Sequence, residues 1–109
     1  MKFSGLILLL LLGCTKKAKV TADLSGDQLV ARGKSIYILN CIACHNVDPK
    51  LDGAIGPAIS GSSLELITAR VLKGSYPDSY KPKRMTKQMA ALPHLEKELP
   101  ALHAFLNAQ

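Results

Sequence analysis

The sequence predicts a small all-α domain of three main helices joined by long loops that need something other than side chains to close around. Three observations predict it. Helical periodicity with start and stop signals recurs three times, and no stretch alternates at the two-residue period of a strand. Two long segments between those helices have no period, the first carrying Pro and Gly and the second Pro. Only 5% of the 109 residues are aromatic and none is Trp, so a chain long enough for one core is short of the large side chains that usually fill one.

The first helix is expected over residues 25–40. Ser25 followed by Gln28 is a capping-box signature, and Leu29, Gly33, Ile36 and Tyr37 fall on one face at helical spacing. Residues 46–61 hold Pro49, Gly53, Gly56, Pro57 and Gly61 without a period, and a structureless loop of that length in a compact domain is expected to wrap something. Ser62-Ser63-Leu64-Glu65 reads as a second capping box opening a helix that ends near Lys73. Leu64, Ile67 and Val71 form its expected buried stripe, and Gly74 suits the position after its end. Residues 75–93 are again irregular, and basic. A last helix is expected from about Glu98 to Ala108, with Leu99, Leu102, Phe105 and Leu106 facing inward. Pro100 is tolerable only in its first turn, where the missing N–H has no partner to lose.

The N-terminus reads as a processing signal. Lys2 supplies a positive start, residues 6–12 an unbroken Leu/Ile run, and Gly13 a small residue before Cys14. Leu11-Leu12-Gly13-Cys14 resembles the lipobox of bacterial lipoproteins, which implies that Cys14 is lipidated and becomes the first mature residue. An ordinary signal peptide, or a short uncleaved anchor, is the alternative. Residues 1–13 are thus expected to be a lipoprotein signal peptide, 14–24 a lipidated Cys with a polar tether, and 25–109 the domain. No other stretch approaches the roughly 20 apolar residues that cross a bilayer.

The chemistry lies in Cys41-Ile42-Ala43-Cys44-His45, a C-x-x-C-H motif. Two thiols on one helical turn can each form a thioether to a haem vinyl group, and the adjacent imidazole then faces the iron as proximal ligand. A redox dithiol would want a βαβ setting, and a zinc site a second Cys/His pair. Neither is present in the sequence. One covalent haem c also accounts for the composition: its flat apolar face stands in for the missing aromatics, and the three cysteines divide into one for lipid and two for haem.

At this point residues 25–109 resemble the class I, single-haem cytochromes c. The pattern Gly33-Lys34-x-x-Tyr37-x-x-x-Cys41 is similar to the family's N-terminal helix, and Gly56-Pro57 follows His45 at the family's distance. The resemblance implies that the Pro57 carbonyl supports the imidazole N–H of His45. It also implies that the helix carrying Leu102 and Phe105 crosses the first helix, with Gly33 allowing close approach and Tyr37 packing nearby. Family methionine ligands precede the terminal-helix aromatic by about sixteen residues. Met89 stands 16 before Phe105 and Met85 stands 20 before it, so Met89 is the expected distal ligand with Met85 as fallback. His94 or an open site completes the alternatives. Ala90 stands where the family often has Pro. The family's tryptophan near the haem propionates is absent, with Tyr76, Tyr80, Lys81 and Arg84 as substitutes. These residues are otherwise a solvated loop.

The formal charge is +6, and Lys73, Lys81, Lys83, Arg84 and Lys87 face a single acid, Asp78, within one segment. Beside a haem edge such a rim would steer acidic redox proteins. The expected function is single-electron transfer between redox partners, without enzymatic turnover, small-molecule substrate or nucleic acid. The protein is expected to be exported and lipid-anchored to a bacterial membrane, facing the periplasm or exterior. The rival is a peroxidase-like or catalytic haem subunit with an open distal site.

Overall fold

A computed structural model describes Gly13 and residues 23–109. The expected leader apart from Gly13, the expected lipidation site Cys14 and nearly all of the tether lie outside the described residues. Helix α1 spans Gly26–Asn40, α2 spans Leu64–Lys73 and α3 spans Leu99–Leu106, with a 3₁₀ helix over Pro93–Glu98 leading into α3. No strand occurs among the described residues, and the all-α architecture with long loops stands.

Each helix has a local cause. Ser25 caps α1, and Gln28 Oε1 accepts its backbone N–H at 3.1 Å. α2 departs from expectation by one position. Ser63 is its cap, accepting the Leu66 N–H at 3.1 Å, because Ser62 Oγ is committed to the Ile59 carbonyl at 2.6 Å. Leu64 therefore opens the helix at its end rather than joining the buried stripe, and it is 44% exposed. Ile67 and Val71 are buried. Gly74 ends α2 at φ 63°, with its N–H on Arg70 O and the Ser75 N–H on Ala69 O, both at 3.1 Å. The 3₁₀ helix was not expected. Pro93 starts it, and Leu95 is driven into the core. α3 then ends at Leu106, short of Ala108.

The core is the junction of α1 and α3. Ile36 and Tyr37 of α1 meet Leu99, Leu102, Phe105 and Leu106 of α3, with Ile67 and Val71 closing one side and Leu95 another. The Tyr37 and Phe105 rings lie 5.4 Å apart at 45°, a tilted pairing favoured by the ring quadrupoles. Gly33 makes the crossing possible: a Cβ there would fall 2.5 Å from the Ala101 carbonyl carbon and 2.7 Å from Phe105 Cβ. On the surface, Arg32 donates to both carboxylate oxygens of Glu98, at 3.1 and 2.5 Å. With the Arg32 side chain half exposed, that pair is worth at most about 1 kcal/mol.

Candidate functional site

The end of α1 delivers the C-x-x-C-H residues. The backbone continues in one further turn, with the Cys44 and His45 N–H groups on Cys41 O at 3.2 and 2.9 Å. Both cysteines border the same cavity, and they are not joined in a disulfide. The following loop then folds back over the motif. Ile55 and Gly56 donate to Cys44 O at 3.1 and 2.8 Å. Short side-chain turns stiffen it: Asn46 Oδ1 accepts Asp48 N–H at 2.9 Å and Asp48 Oδ1 accepts Lys50 N–H at 3.0 Å. Tyr37, buried completely, donates its hydroxyl to Asn46 O and so ties the core to the residue after His45.

His45 is the one buried titratable side chain in this loop. Its Nδ1 lies 2.8 Å from Pro57 O, so the proton belongs on Nδ1 and the lone pair of Nε2 is left for a metal. The ring packs on Gly56, where a Cβ would sit 2.5 Å from Nδ1. The glycine is required by this close approach.

Cys41, Cys44, His45, Pro57 and Met89 all line one cavity of about 520 Å³, within the size range of cofactor sites. Its apolar wall is made by Ile59, Ile67, Val71, Leu95, Leu102 and Leu106, so the core borders the cavity on one side. Burial, and then the neighbouring Cys44, pushes the Cys41 thiol up to about 11, so in the bare polypeptide it is neutral at physiological pH.

The segment carrying Met89 also borders the cavity. It is tied to α2 through Leu92 N–H on Val71 O at 2.6 Å. Lys83 Nζ donates to Ala58 O at 2.8 Å and Arg84 Nη1 to Ile55 O at 2.7 Å, which straps it to the loop below His45. Met89 packs against the core, whereas Met85 is 89% exposed. His94 is exposed on the 3₁₀ helix and does not line the cavity.

A cytochrome c family model matches residues 30–109, most of the chain. The chain belongs to the cytochrome c family. No curated protein gives a significant match to it. A cytochrome c carries its haem covalently, and the residues present fit that group: two cysteines and one histidine on a single turn border an apolar cavity, with the ring nitrogen already oriented by Pro57. In this cytochrome c domain the fold is that of an electron-carrying haem protein.

Of the residues considered for the haem edge, Tyr76, Tyr80 and Arg84 border the cavity and Lys81 does not. Tyr76 and Tyr80 stack at 5.5 Å and 9°, and the Arg70 guanidinium covers Tyr76 at 4.1 Å. Ser79, at φ 64°, makes the turn that returns Tyr80 onto Tyr76. Sequence reasoning missed Arg70 and Asp52 as site residues, and placed Lys83 only in the basic rim. Arg70 sits in the last turn of α2 at a position that reads only as a helix-end charge. Asp52 accepts the Ala58 N–H at 2.8 Å and lies 3.6 Å from Arg84, a convergence of three loop positions that no local signal marks.

Proposed function

We propose that this cytochrome c is a lipid-anchored carrier of single electrons, with its iron held between His45 and Met89. Haem c supplies a one-electron Fe(III)/Fe(II) couple when bound. Cys41 and Cys44 would hold it by thioethers and thereby fix its plane against the motif. His45 offers Nε2 to one face while Pro57 holds its Nδ1–H. Met89, on the wall of the same cavity, would offer its thioether as the second ligand. Core side chains and the strapped loop both border the cavity, which would favour retention of both ligands during electron transfer.

The observation that carries the assignment is the contrast between the two methionines: Met89 shares the cavity wall with Cys41, Cys44 and His45, and Met85 points to solvent. The ferric spectra of Met89→Ala and Met85→Ala test it. Loss of the methionine–iron charge-transfer band in the first variant alone is expected. A wild type that binds carbon monoxide readily would overturn it.

Two further features complete the proposal. Leu11-Leu12-Gly13-Cys14 directs export and lipidation, after which the acyl chains hold the protein at a bacterial membrane facing the periplasm or exterior. Cys14→Ser should move it from the membrane to the soluble fraction. The basic segment from Lys73 to Lys87 favours acidic redox proteins as donor and acceptor.

A further inference from the structure

Pro57 C=O and Ala58 N–H are the two ends of one planar, resonance-coupled peptide group. At one end the oxygen lies 2.8 Å from His45 Nδ1. At the other, the N–H donates to Asp52 Oδ1, also at 2.8 Å. We infer that Asp52 lowers the reduction potential of the iron through this peptide: carboxylate, Ala58 N–H, Pro57 C=O, His45 Nδ1–H. The inference rests on the reading of His45 as an iron ligand.

The physical argument is polarisation. A full negative charge at the N–H end of an amide favours the resonance form with more negative charge on oxygen. Pro57 O then becomes a stronger acceptor, and hydrogen bonds in series strengthen one another by about 10–30% each. The more strongly His45 Nδ1–H is drawn toward that oxygen, the more electron density Nε2 presents to a metal, an established way of tuning a ligated imidazole. A more electron-rich ligand stabilises Fe(III) relative to Fe(II). One electron is exchanged with the redox partner, and no bond or proton changes place.

The carboxylate is held for this role. The Asp52 backbone oxygen accepts Asn46 Nδ2 at 3.3 Å, next to the ligand itself. The side chain is largely solvent-exposed, so water screens its field at long range, but polarisation across a 2.8 Å bond is a contact effect. Arg84 opposes it. Its Nη2 is 3.6 Å from Asp52 Oδ2 while its Nη1 is anchored on Ile55 O, drawing carboxylate charge away from the peptide. Asp52 touches neither the iron nor its ligands and is a positioning and polarising residue. Through Arg84 it links the His45 loop to the segment that bears Met89.

The test uses the haem-loaded protein and the variant Asp52→Asn, which keeps the acceptor oxygen and removes the charge. Two quantities are read: the reduction potential, and the NMR resonance of the His45 Nδ1 proton in the reduced, diamagnetic state. Asp52→Asn should raise the equilibrium constant for electron uptake several-fold, where tenfold corresponds to about 59 mV for a one-electron couple. The Nδ1–H resonance should move upfield as its hydrogen bond weakens. Asp48→Asn removes a like charge from the same loop, but Asp48 Oδ1 accepts Lys50 N–H, and the resonance should stay in place. A potential shift in Asp52→Asn with an unmoved Nδ1–H resonance would reduce the effect to lost surface charge and overturn the inference, as would no change in either. Should Asp52→Asn fail to fold, Arg84→Gln decides: the resonance moves downfield if the relay operates and stays if it does not. If His45 were not a ligand, the wild type itself would lack a low-spin spectrum, a failure separate from silence in the variants.

Discussion

Gly33 of α1 faces the Ala101 carbonyl of α3 with no room for a methyl group between them, the carbonyl carbon lying 2.5 Å from where a Cβ would stand. Both partners are backbone, so neither can turn aside as a flexible side chain would. Gly33→Ala must push α1 and α3 apart, and the Tyr37–Phe105 contact opens with them. The cost should reach about 3 kcal/mol, the upper range for overpacking. For a domain of this size that is a fall of roughly 12 °C or more in melting temperature by calorimetry. An unchanged melting temperature would contradict the crossing.

Gly56 imposes the same constraint on the His45 ring. A Cβ there would lie 2.5 Å from Nδ1, so Gly56→Ala should swing the imidazole away from Pro57 O. The thioethers would retain the haem, while the ferric absorption and EPR spectra should gain a high-spin component. A spectrum identical to wild type would show that the ring has space the structure denies it.

Tyr37 gives a pH-dependent prediction. Burial above all, with Asp48 nearby, raises its hydroxyl from 10.0 to about 12, since the phenolate would be both desolvated and near negative charge. A folded value above the unfolded one stabilises fully below pH 10 and is lost as pH rises through 12. Tyr37→Phe removes the bond to Asn46 O and should cost about 1–2 kcal/mol at neutral pH. Urea midpoints measured from pH 9 to 12 should fall more steeply for wild type than for Tyr37→Phe. Parallel curves would refute the assignment.

The basic segment divides by function. Lys83 and Arg84 are engaged with the Ala58 and Ile55 carbonyls, whereas Lys81 and Lys87 are exposed. The double variant Lys81→Gln, Lys87→Gln should slow association with an acidic redox protein several-fold at low salt in stopped-flow, with little change in melting temperature. Lys83→Gln should instead loosen the Met89 segment. An association rate indifferent to both salt and the double substitution would remove the steering role.

Much of this was legible in residue order. The three helices announce themselves because their signals are local: an apolar stripe in each, a capping serine before α1 and α2, and a glycine after the last turn of α2. The misreadings were also local. Ser62 and Ser63 are equally able to cap α2, and the choice fell to Ser63 only because the preceding loop engages Ser62 Oγ with Ile59 O. The one-residue shift exposed Leu64. The 3₁₀ helix was hidden because six residues with a single buried side chain, Leu95, have no period to detect.

The sequence by itself determined the helices, the C-x-x-C-H motif and, through the shortage of aromatics, the need for a large apolar group within the fold. Each depends on residue types at short spacing. What only tertiary structure decided depends on long loops whose path no short-range rule fixes. It brought Pro57 and Gly56 onto His45, set Met89 on the cavity wall with Met85 outside, and gathered Asp52, Ala58 and Arg84 at one peptide. The Asp52–Arg84 ion pair and the hydrogen bond from Arg84 to Ile55 O join residues far apart in the chain, and they form only once the core has closed and made the loop ends neighbours.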